Sequence, residues 1–284
     1  METTVSEKRI HQHLEKIVGD RYPFSSESKL SAVEQYLLEE FESYGLKVEK
    51  NFFEFESKTF TNLIAELPGE KSSVFLIGAH FDAVENCPGA DDNASGIAVL
   101  LESARILSQE KFFHSIRFAS FNLEEFGMIG SSHYVKKIEQ EKQKLIGMIS
   151  LEMVGYTNSR PGSQQYPPGM PSRYPNTGNF IGLVSNGNSK PLLKTVAQKM
   201  REIPSLPVEE LIIPFNGWSL PAARLSDHSP FWDAGYPALL VTDTSFFRNP
   251  HYHLPSDTLD TLNLEFMRRV TAGIVQTYRA LASQ

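Results

Sequence analysis

Five short segments of the chain place side chains that can bind metal ions at or near the ends of apolar runs. The segments read IGAHFDA, GADDNASG, FNLEEFG, SLEMVGY and HYHLPSDT. They contribute two imidazoles and three carboxylates, namely His80, Asp92, Glu125, Glu152 and His253. Zinc accepts both kinds of ligand, and a further carboxylate, Glu124, directly precedes one of them. This set suits a pair of zinc ions with a water-activating base, which is the chemistry of a hydrolase.

Each segment also has a simpler structural explanation when it is taken alone. His80 with Asp82 could be a hydrogen-bonded structural pair, and the aspartates of GADDNASG could cap the helix that follows. Glu152 is harder to explain in this way, because a carboxylate inside a buried run must bind metal, be paired or be protonated. The simple explanations are improbable in combination, since every segment lies near the end of a predicted strand.

The elements that must position these side chains can be predicted from periodicity. Apolar or alternating runs predict strands at 47–56, 61–66, 74–79, 115–122, 145–153 and 237–243. Helical spacing predicts helices at 5–18, 28–44, 94–109, 128–139, 189–202 and 263–282. The alternation predicts an α/β fold with three αβα layers, in which helices flank a central mixed, mainly parallel sheet. We expect a single catalytic domain over 1–284, with 1–26 as an N-terminal helical segment.

Composition narrows the class of protein further. The chain has 284 residues, 40% of them hydrophobic, which is enough for a sizeable core. The net charge of −7 and the absence of a basic stripe argue against a nucleic-acid partner. A single cysteine, Cys87, allows no disulfide within the chain. Because no signal core and no run of spanning length are present, we expect a cytoplasmic protein without membrane attachment.

Taken in order, the five segments resemble those of the co-catalytic di-zinc aminopeptidase family. That family includes bacterial leucyl aminopeptidases, glutamate carboxypeptidase-like enzymes and glutaminyl cyclases. The resemblance runs from about residue 30 to the C-terminus and includes RLSDHSPF at 224–231 and the final H-x-x-x-D-T. No single motif is specific, but the joint pattern is.

The resemblance implies two zinc ions per chain. His80 and Glu152 would bind one ion, Glu125 and His253 would bind the other, and Asp92 would bridge them. The family more often has aspartate at the position of Glu152, so this site departs from the usual pattern.

Three further roles follow from the same resemblance. Glu124 would be the general base, and Asp82 would orient the ring of His80. Tyr252, which precedes the last ligand, would help to stabilise the tetrahedral intermediate. These roles describe a zinc-dependent exopeptidase, specifically an aminopeptidase acting on peptides with a free N-terminus. The alternatives are a glutaminyl cyclase-like acyltransferase on the same fold and a non-catalytic peptide-binding homologue.

Loops rich in aromatic residues indicate where a substrate side chain could bind. The segment 157–179 is rich in Pro, Gly, Ser and Asn, so it is either a lid or wall of the site or a peripheral insertion. With the loops 215–226 and 244–252, it is expected to supply the pocket residues Tyr166, Phe215, Trp218, Phe246 and Phe247. Such a pocket favours an apolar first residue of the peptide; the alternative is that these aromatic residues are ordinary core or loop packing.

Overall fold

The computed structural model describes residues 4–170 and 174–283, so small parts of the predicted segments 1–26 and 157–179 lie outside the described residues. The strands are β1 Lys47–Phe55, β2 Lys58–Leu67, β3 Lys71–His80, β4 His114–Phe121, β5 Leu145–Glu152, β6 Ile181–Asn186, β7 Val208–Ile213 and β8 Ala238–Thr242. The helices are α1 Glu7–Ile17, α2 Glu27–Ser43, α3 Gly96–Leu107, α4 Ile129–Gln140, α5 Lys190–Arg201, α6 His228–Asp233 and α7 Leu264–Ala282.

All eight strands belong to one sheet in the order β1-β2-β4-β3-β5-β8-β6-β7. The central strands β4, β3, β5 and β8 run parallel to one another. The hairpin β1-β2 joins them antiparallel through β2 and β4, and β6 joins antiparallel to β8. The sheet is therefore mixed and mainly parallel, as predicted. Because β4, β3, β5 and β8 share one direction, their carboxyl ends meet at the same edge.

Helices cover the two faces of the sheet unequally. Alternate residues of β3 point to opposite sides, with Phe75 and Ile77 in the larger core and Val74 and Leu76 in the smaller one. The larger core receives α1, α2, α3, α5 and α7, and the smaller core receives α4 and α6. These layers confirm the predicted αβα architecture. Within the described ranges, none of the helices combines the length and apolar character needed to cross a bilayer.

Some elements were not predicted from the sequence. The strands β6 (IGLVSN) and β7 (VEELII) contain glycine or polar residues that interrupt the apolar run without regular alternation, and the helix α6 has only six residues, less than two turns. The helix predicted at 94–109 begins only at Gly96. Before it, Ala90–Ser95 forms an irregular turn in which Asp92 and Asn93 have non-helical backbone angles.

Candidate metal centre and adjoining pocket

The predicted ligands lie along the shared carboxyl edge of the central strands. His80 is the last residue of β3, and Glu152 is the last residue of β5. Glu125 follows the end of β4 by a few residues, and Asp92 lies in the irregular turn that leads into α3. His253 comes from the loop that follows β8. The parallel order of the strands therefore brings together residues that are far apart in the sequence.

These five side chains form two groups of three that share Asp92, and His80 and Glu125 also form a third group with Glu124. In one group, His80 Nε2 lies 3.2 Å from Asp92 Oδ1 and 3.4 Å from Glu152 Oε1. In the other group, His253 Nε2 lies 3.1 Å from Asp92 Oδ2 and 3.2 Å from Glu125 Oε2. Each oxygen of Asp92 thus faces a different histidine. A carboxylate in this position can bridge two cations.

The donor atoms fit metal ions better than they fit one another. Asp92 Oδ1, Glu125 Oε1 and His253 Nε2 are buried, and none has a hydrogen-bond partner among the described residues. A buried polar atom without a partner lowers the stability of the folded protein unless another group, such as a bound metal ion, interacts with it. Imidazole and carboxylate ligands in groups of three, converging within 4.8 Å of one another, match the chemistry of a zinc site with an open position.

Burial and neighbouring charges strongly perturb the protonation equilibria of the candidate ligands. Burial, followed by the charge of Asp92, raises the pKa of Glu125 and that of Glu152 to about 7. Burial alone would lower the pKa of His253, but Asp92 and Glu125 raise it to about 10. Burial would raise the pKa of Asp92, yet its contacts with the two histidines hold it below its ordinary value. The cluster therefore favours bound positive charge.

Asp82 connects the first histidine to the carboxylates that follow β4. Its Oδ1 accepts the backbone N–H of Glu124 at 3.1 Å, and its Oδ2 accepts that of Glu125 at 3.2 Å. Asp82 Oδ1 also lies 3.4 Å from His80 Nδ1. A single buried carboxylate therefore positions three candidate residues, in agreement with the expected place of Asp82 beside the His80 ring.

Asp257, the aspartate of the final H-x-x-x-D-T pattern, contacts the turn that carries Asp92. Its carboxylate accepts the backbone N–H of Asp91 at 2.9 Å and that of Asp92 at 3.1 Å. It therefore fixes the turn that carries the shared ligand.

Arg21, which the motifs did not indicate, holds the same region from the other side. Its buried guanidinium donates to the carbonyl oxygens of Phe81 at 2.9 Å, Pro88 at 2.7 Å and Gly89 at 2.8 Å. The N-terminal segment thus braces the chain between His80 and Asp92. In the sequence, Arg21 is a single arginine that follows a predicted helix. No local pattern distinguishes such a buried arginine from one on the surface.

Glu152 is held by a serine from the RLSDHSPF segment. Ser226 Oγ donates to Glu152 Oε2 at 2.8 Å and lies 3.1 Å from Ser150 Oγ. The other oxygen, Oε1, faces His80 at 3.4 Å. The longer arm of glutamate at this position is therefore restrained, with one oxygen engaged by serine and one directed toward the candidate metal site.

Glu124 and Tyr252 border the cavity beside the ligands. Glu124 Oε2 lies 3.9 Å from His80 Nε2, and burial raises the pKa of Glu124 well above its ordinary value. The ring of Tyr252 stacks on that of His253, with centroids 3.7 Å apart and an interplanar angle of 19°. Both side chains line the cavity that opens at the candidate metal site.

This cavity has a volume of about 400 Å³ and is floored by the sheet face over which α4 and α6 do not extend. Residues of β8, β6 and β7 line the floor, including Leu240, Val184 and Leu211. Met128, Tyr166, Met170, Tyr174, Phe180, Leu220, Leu225, Phe246 and Phe247 form its apolar walls. A cavity of this size accepts a large apolar side chain next to the polar cluster.

Two of the aromatic residues expected in this pocket are not part of it. Phe215 is 81% exposed and Trp218 is 65% exposed, and neither lines the cavity. The indole ring of Trp218 instead packs beneath the guanidinium of Arg224, whose Cζ lies 3.9 Å from the ring centroid. Tyr166, Phe246 and Phe247 do line the cavity. The loop 215–226 also lines it, through Leu220 and other apolar residues, so the prediction was wrong only for Phe215 and Trp218.

The chain is similar in sequence to known proteins over most of its length. The chain is 34% identical over 255 residues to the uncharacterized protein YfbL of Escherichia coli (strain K12), covering 85% of this chain and 77% of that one. It is 28% identical over 237 residues to a probable leucine aminopeptidase of Arthroderma otae, covering 78% of this chain. The match spans only 56% of that fungal protein, so the present chain corresponds to little more than half of its length.

The fold also has close structural counterparts. The LapA aminopeptidase of Legionella pneumophila superposes with a TM-score of 0.79 at 23% identity, covering 99% of this chain and 73% of the other. The model of the peptidase family M28 matches residues 62–278, a range that includes every candidate ligand and Glu124. The resemblance drawn from the five segments is thereby confirmed, and the chain belongs to peptidase family M28.

Proposed function

We propose that the chain is a zinc-dependent aminopeptidase that binds two zinc ions and uses Glu124 as its general base. The observation that carries this proposal is the position of Asp92, whose two oxygens face His80 and His253 at 3.2 and 3.1 Å. Glu124 borders the same cavity without belonging to either histidine–Asp92 group. Relatives named as leucine aminopeptidases support the assignment.

The residues of the candidate site would have distinct roles in catalysis. When bound, zinc supplies Lewis acidity and lowers the pKa of a water molecule. His80 and Glu152 would hold one ion, Glu125 and His253 the other, and Asp92 both. Glu124 would accept a proton from the attacking water and return it to the leaving amine, so that no net proton is gained or lost. Tyr252, beside His253, would donate its hydroxyl proton as a hydrogen bond to the developing oxyanion.

The charge and shape of the site favour an amino terminus over a carboxyl terminus. Among the described residues, the cavity lining includes the carboxyl group of Glu124, which is not a proposed ligand, and no lysine or arginine that could pair with a terminal carboxylate. The apolar walls then receive the first side chain. We infer that peptides with a free N-terminus and a large apolar first residue are the substrates.

We also propose that residues 1–284 act as one catalytic unit, since Arg21 braces the turn before Asp92.

Hydrolysis of a panel of aminoacyl nitroanilides tests this function. We expect leucyl and phenylalanyl substrates to be cleaved faster than alanyl or glutamyl ones, because only the former fill the cavity. Activity should disappear with a chelator and return with zinc. Activity that survives complete metal removal would contradict the proposal.

The same assay separates the rival reactions. A glutaminyl cyclase-like enzyme would cyclise an N-terminal glutaminyl peptide, with loss of ammonia and no cleavage of leucyl nitroanilide. A binding protein would bind a leucyl peptide without changing it. Mass spectrometry of each product therefore distinguishes hydrolysis, cyclisation and binding.

A further inference from the structure

The cavity wall segment, of which the structure describes residues 156–170 and 174–180, has little regular structure of its own in those described residues. It folds back on itself through an isolated bridge between Asn158 and Gly178 and through hydrogen bonds from the N–H groups of Gly162 and Gln164 to Asn176 O, at 2.9 and 3.2 Å. A segment of this kind needs anchors outside itself to hold one position. The anchors lie in the loop that follows β8.

Arg248 contacts this segment at its beginning, middle and end. Its Nε donates to Gln164 Oε1 at 2.8 Å, and its Nη1 donates to Phe180 O at 2.8 Å and to Tyr156 O at 3.4 Å. The Arg248 Cζ also lies 4.4 Å from the centroid of the Phe180 ring. Because Gln164 and Phe180 both line the cavity, a single guanidinium holds two of its wall residues in place.

The packing around Arg248 is so tight that the residue in contact with its side chain, Gly178, must be glycine. The arginine is 5% exposed, and Gln164 is 4% exposed. A Cβ atom added to Gly178 would lie 2.7 Å from Arg248 Cγ and 2.8 Å from Cδ, which real contacts do not allow. The returning strand of the segment therefore rests directly on the aliphatic stem of Arg248.

The same region is continuous with the turn that carries Asp92. Asp243 accepts the N–H groups of Tyr156 at 2.8 Å and of Ser245 at 2.9 Å. Asn249, next to Arg248, donates from Nδ2 to Asp91 Oδ2 at 2.7 Å. The loop that anchors the wall thus also contacts the residue before the shared ligand.

We propose that Arg248 is a positioning residue for substrate selectivity: it holds residues 156–170 and 174–180 as a preformed wall, so that the cavity is ready for a large apolar first residue. This inference rests on the proposed aminopeptidase function for its substrate class. Its structural part, a wall that stays ordered without ligand, does not depend on that function.

The variant Arg248→Lys tests the inference, because lysine keeps the charge but loses the fork that reaches Gln164 and Phe180. We expect amide hydrogen exchange across 156–170 to become faster in the zinc-loaded protein without substrate. We also expect a roughly tenfold rise in KM for leucyl nitroanilide, with kcat nearly unchanged and KM for alanyl nitroanilide little affected. Zinc content should stay that of the unmodified protein.

Gln164→Ala is a second variant in case Arg248→Lys does not fold. It removes the acceptor at the middle of the segment, and we expect the same acceleration of exchange. The control is Arg279→Lys, which alters an arginine paired with Glu110 at 2.6 Å, outside the cavity lining. It should change neither exchange nor KM.

The two proposals fail in different ways. If the unmodified protein cleaves leucyl nitroanilide but exchange and KM stay unchanged in both variants, the role of Arg248 is overturned and the aminopeptidase function stands. If the unmodified protein cleaves none of the nitroanilides, the substrate class is lost, whereas faster exchange in the variants still supports Arg248 as the anchor of the wall.

Discussion

At the scale of single residues, the central feature is the difference between Glu124 and Glu125, which are neighbours in the chain. Both backbone N–H groups bind Asp82, at 3.1 and 3.2 Å. Their side chains contact different histidines: Glu125 Oε2 lies 3.2 Å from His253 Nε2, whereas Glu124 Oε2 lies 3.9 Å from His80 Nε2. This geometry supports separate roles for the two carboxylates, one as a ligand and one as a base.

Glu124→Gln should therefore lower kcat by roughly 10²–10⁴-fold, the usual contribution of a general base. The amide cannot accept the proton from water, but it keeps the size of the side chain. Zinc content, measured by atomic absorption, should remain unchanged because Glu124 is not a proposed ligand. Loss of zinc together with activity would instead make Glu124 a ligand.

His253→Ala provides the complementary result at this scale. It removes a proposed ligand from one of the two groups, so zinc content should fall while the His80 group keeps its ion. Circular dichroism of the variant serves as the folding control. An unchanged zinc content would remove His253 from the ligand set.

At the scale of elements, the turn between β4 and α4 positions both glutamates through close backbone packing. Asn62 Nδ2 donates to Gly130 O at 2.9 Å, and Asn62 Oδ1 accepts the N–H of Asn122 at 3.0 Å. A Cβ atom on Gly130 would lie 2.2 Å from Asn122 O and 2.4 Å from Asn62 Oδ1. Glycine at 130 is therefore needed for the strand end and the helix start to meet.

Gly130→Ala should lower the free energy of unfolding by about 1–3 kcal/mol, because the added methyl group forces backbone and side chain apart. Urea denaturation followed by circular dichroism measures the change. Gly187→Ala is the matched control, since a Cβ atom there meets nothing within 4 Å. Equal stability of the two variants would contradict the packing argument.

The helix α1 contributes a pH dependence of stability through His13. Burial, with the nearby charges of Arg9 and Arg105, lowers the pKa of His13 to about 3 in the folded protein, against 6.5 for an ordinary histidine. Between these values only the unfolded chain binds the proton, so stability falls as pH decreases from 6.5 toward 3. Above pH 6.5 His13 has no such effect.

His13→Asn should reduce this slope by up to about 1.4 kcal/mol per pH unit below pH 6.5, because asparagine does not titrate. Thermal or urea unfolding at pH 7, 6 and 5 measures it. The control is His11→Asn on the same helix, where His11 is only partly buried. A slope unchanged by His13→Asn would show that other groups cause the acid sensitivity.

At the scale of the whole molecule, the candidate metal centre ties together distant parts of the chain. Its ligands come from β3, from β5, from the turn before α3 and from the loops after β4 and β8. Ions bound at this edge would cross-link these elements in the folded state. Their binding should therefore stabilise the protein as a whole.

Adding zinc to the chelated protein should raise Tm by roughly 10 °C when free zinc is about 1,000 times the dissociation constant, since binding then adds about 4 kcal/mol per site. Differential scanning calorimetry measures the shift. His80→Ala should show a smaller shift, because one group of ligands is incomplete. A Tm unaffected by zinc would argue against metal binding by the folded chain.

The amino-acid sequence by itself determined the kinds of ligand and their places near strand ends. Apolar runs that end in His80 or near Glu152 encode both features locally, because strand patterns and polar interruptions are properties of neighbouring residues. The same patterns were sufficient for the αβα architecture and the parallel centre of the sheet. They were insufficient for β6 and β7, whose apolar runs are interrupted by glycine or polar residues without regular alternation, and for α6, which is shorter than two turns.

Only the tertiary structure decided how the parts meet. It placed Asp257 against the backbone of Asp91, 166 residues away in the chain, and Arg21 against Gly89. In the folded chain Phe215 is exposed to solvent, and residues near Arg248 form the cavity wall instead. Such contacts depend on which strands adjoin and which faces the helices leave uncovered, and these are properties of the packed molecule that no local run of residues contains.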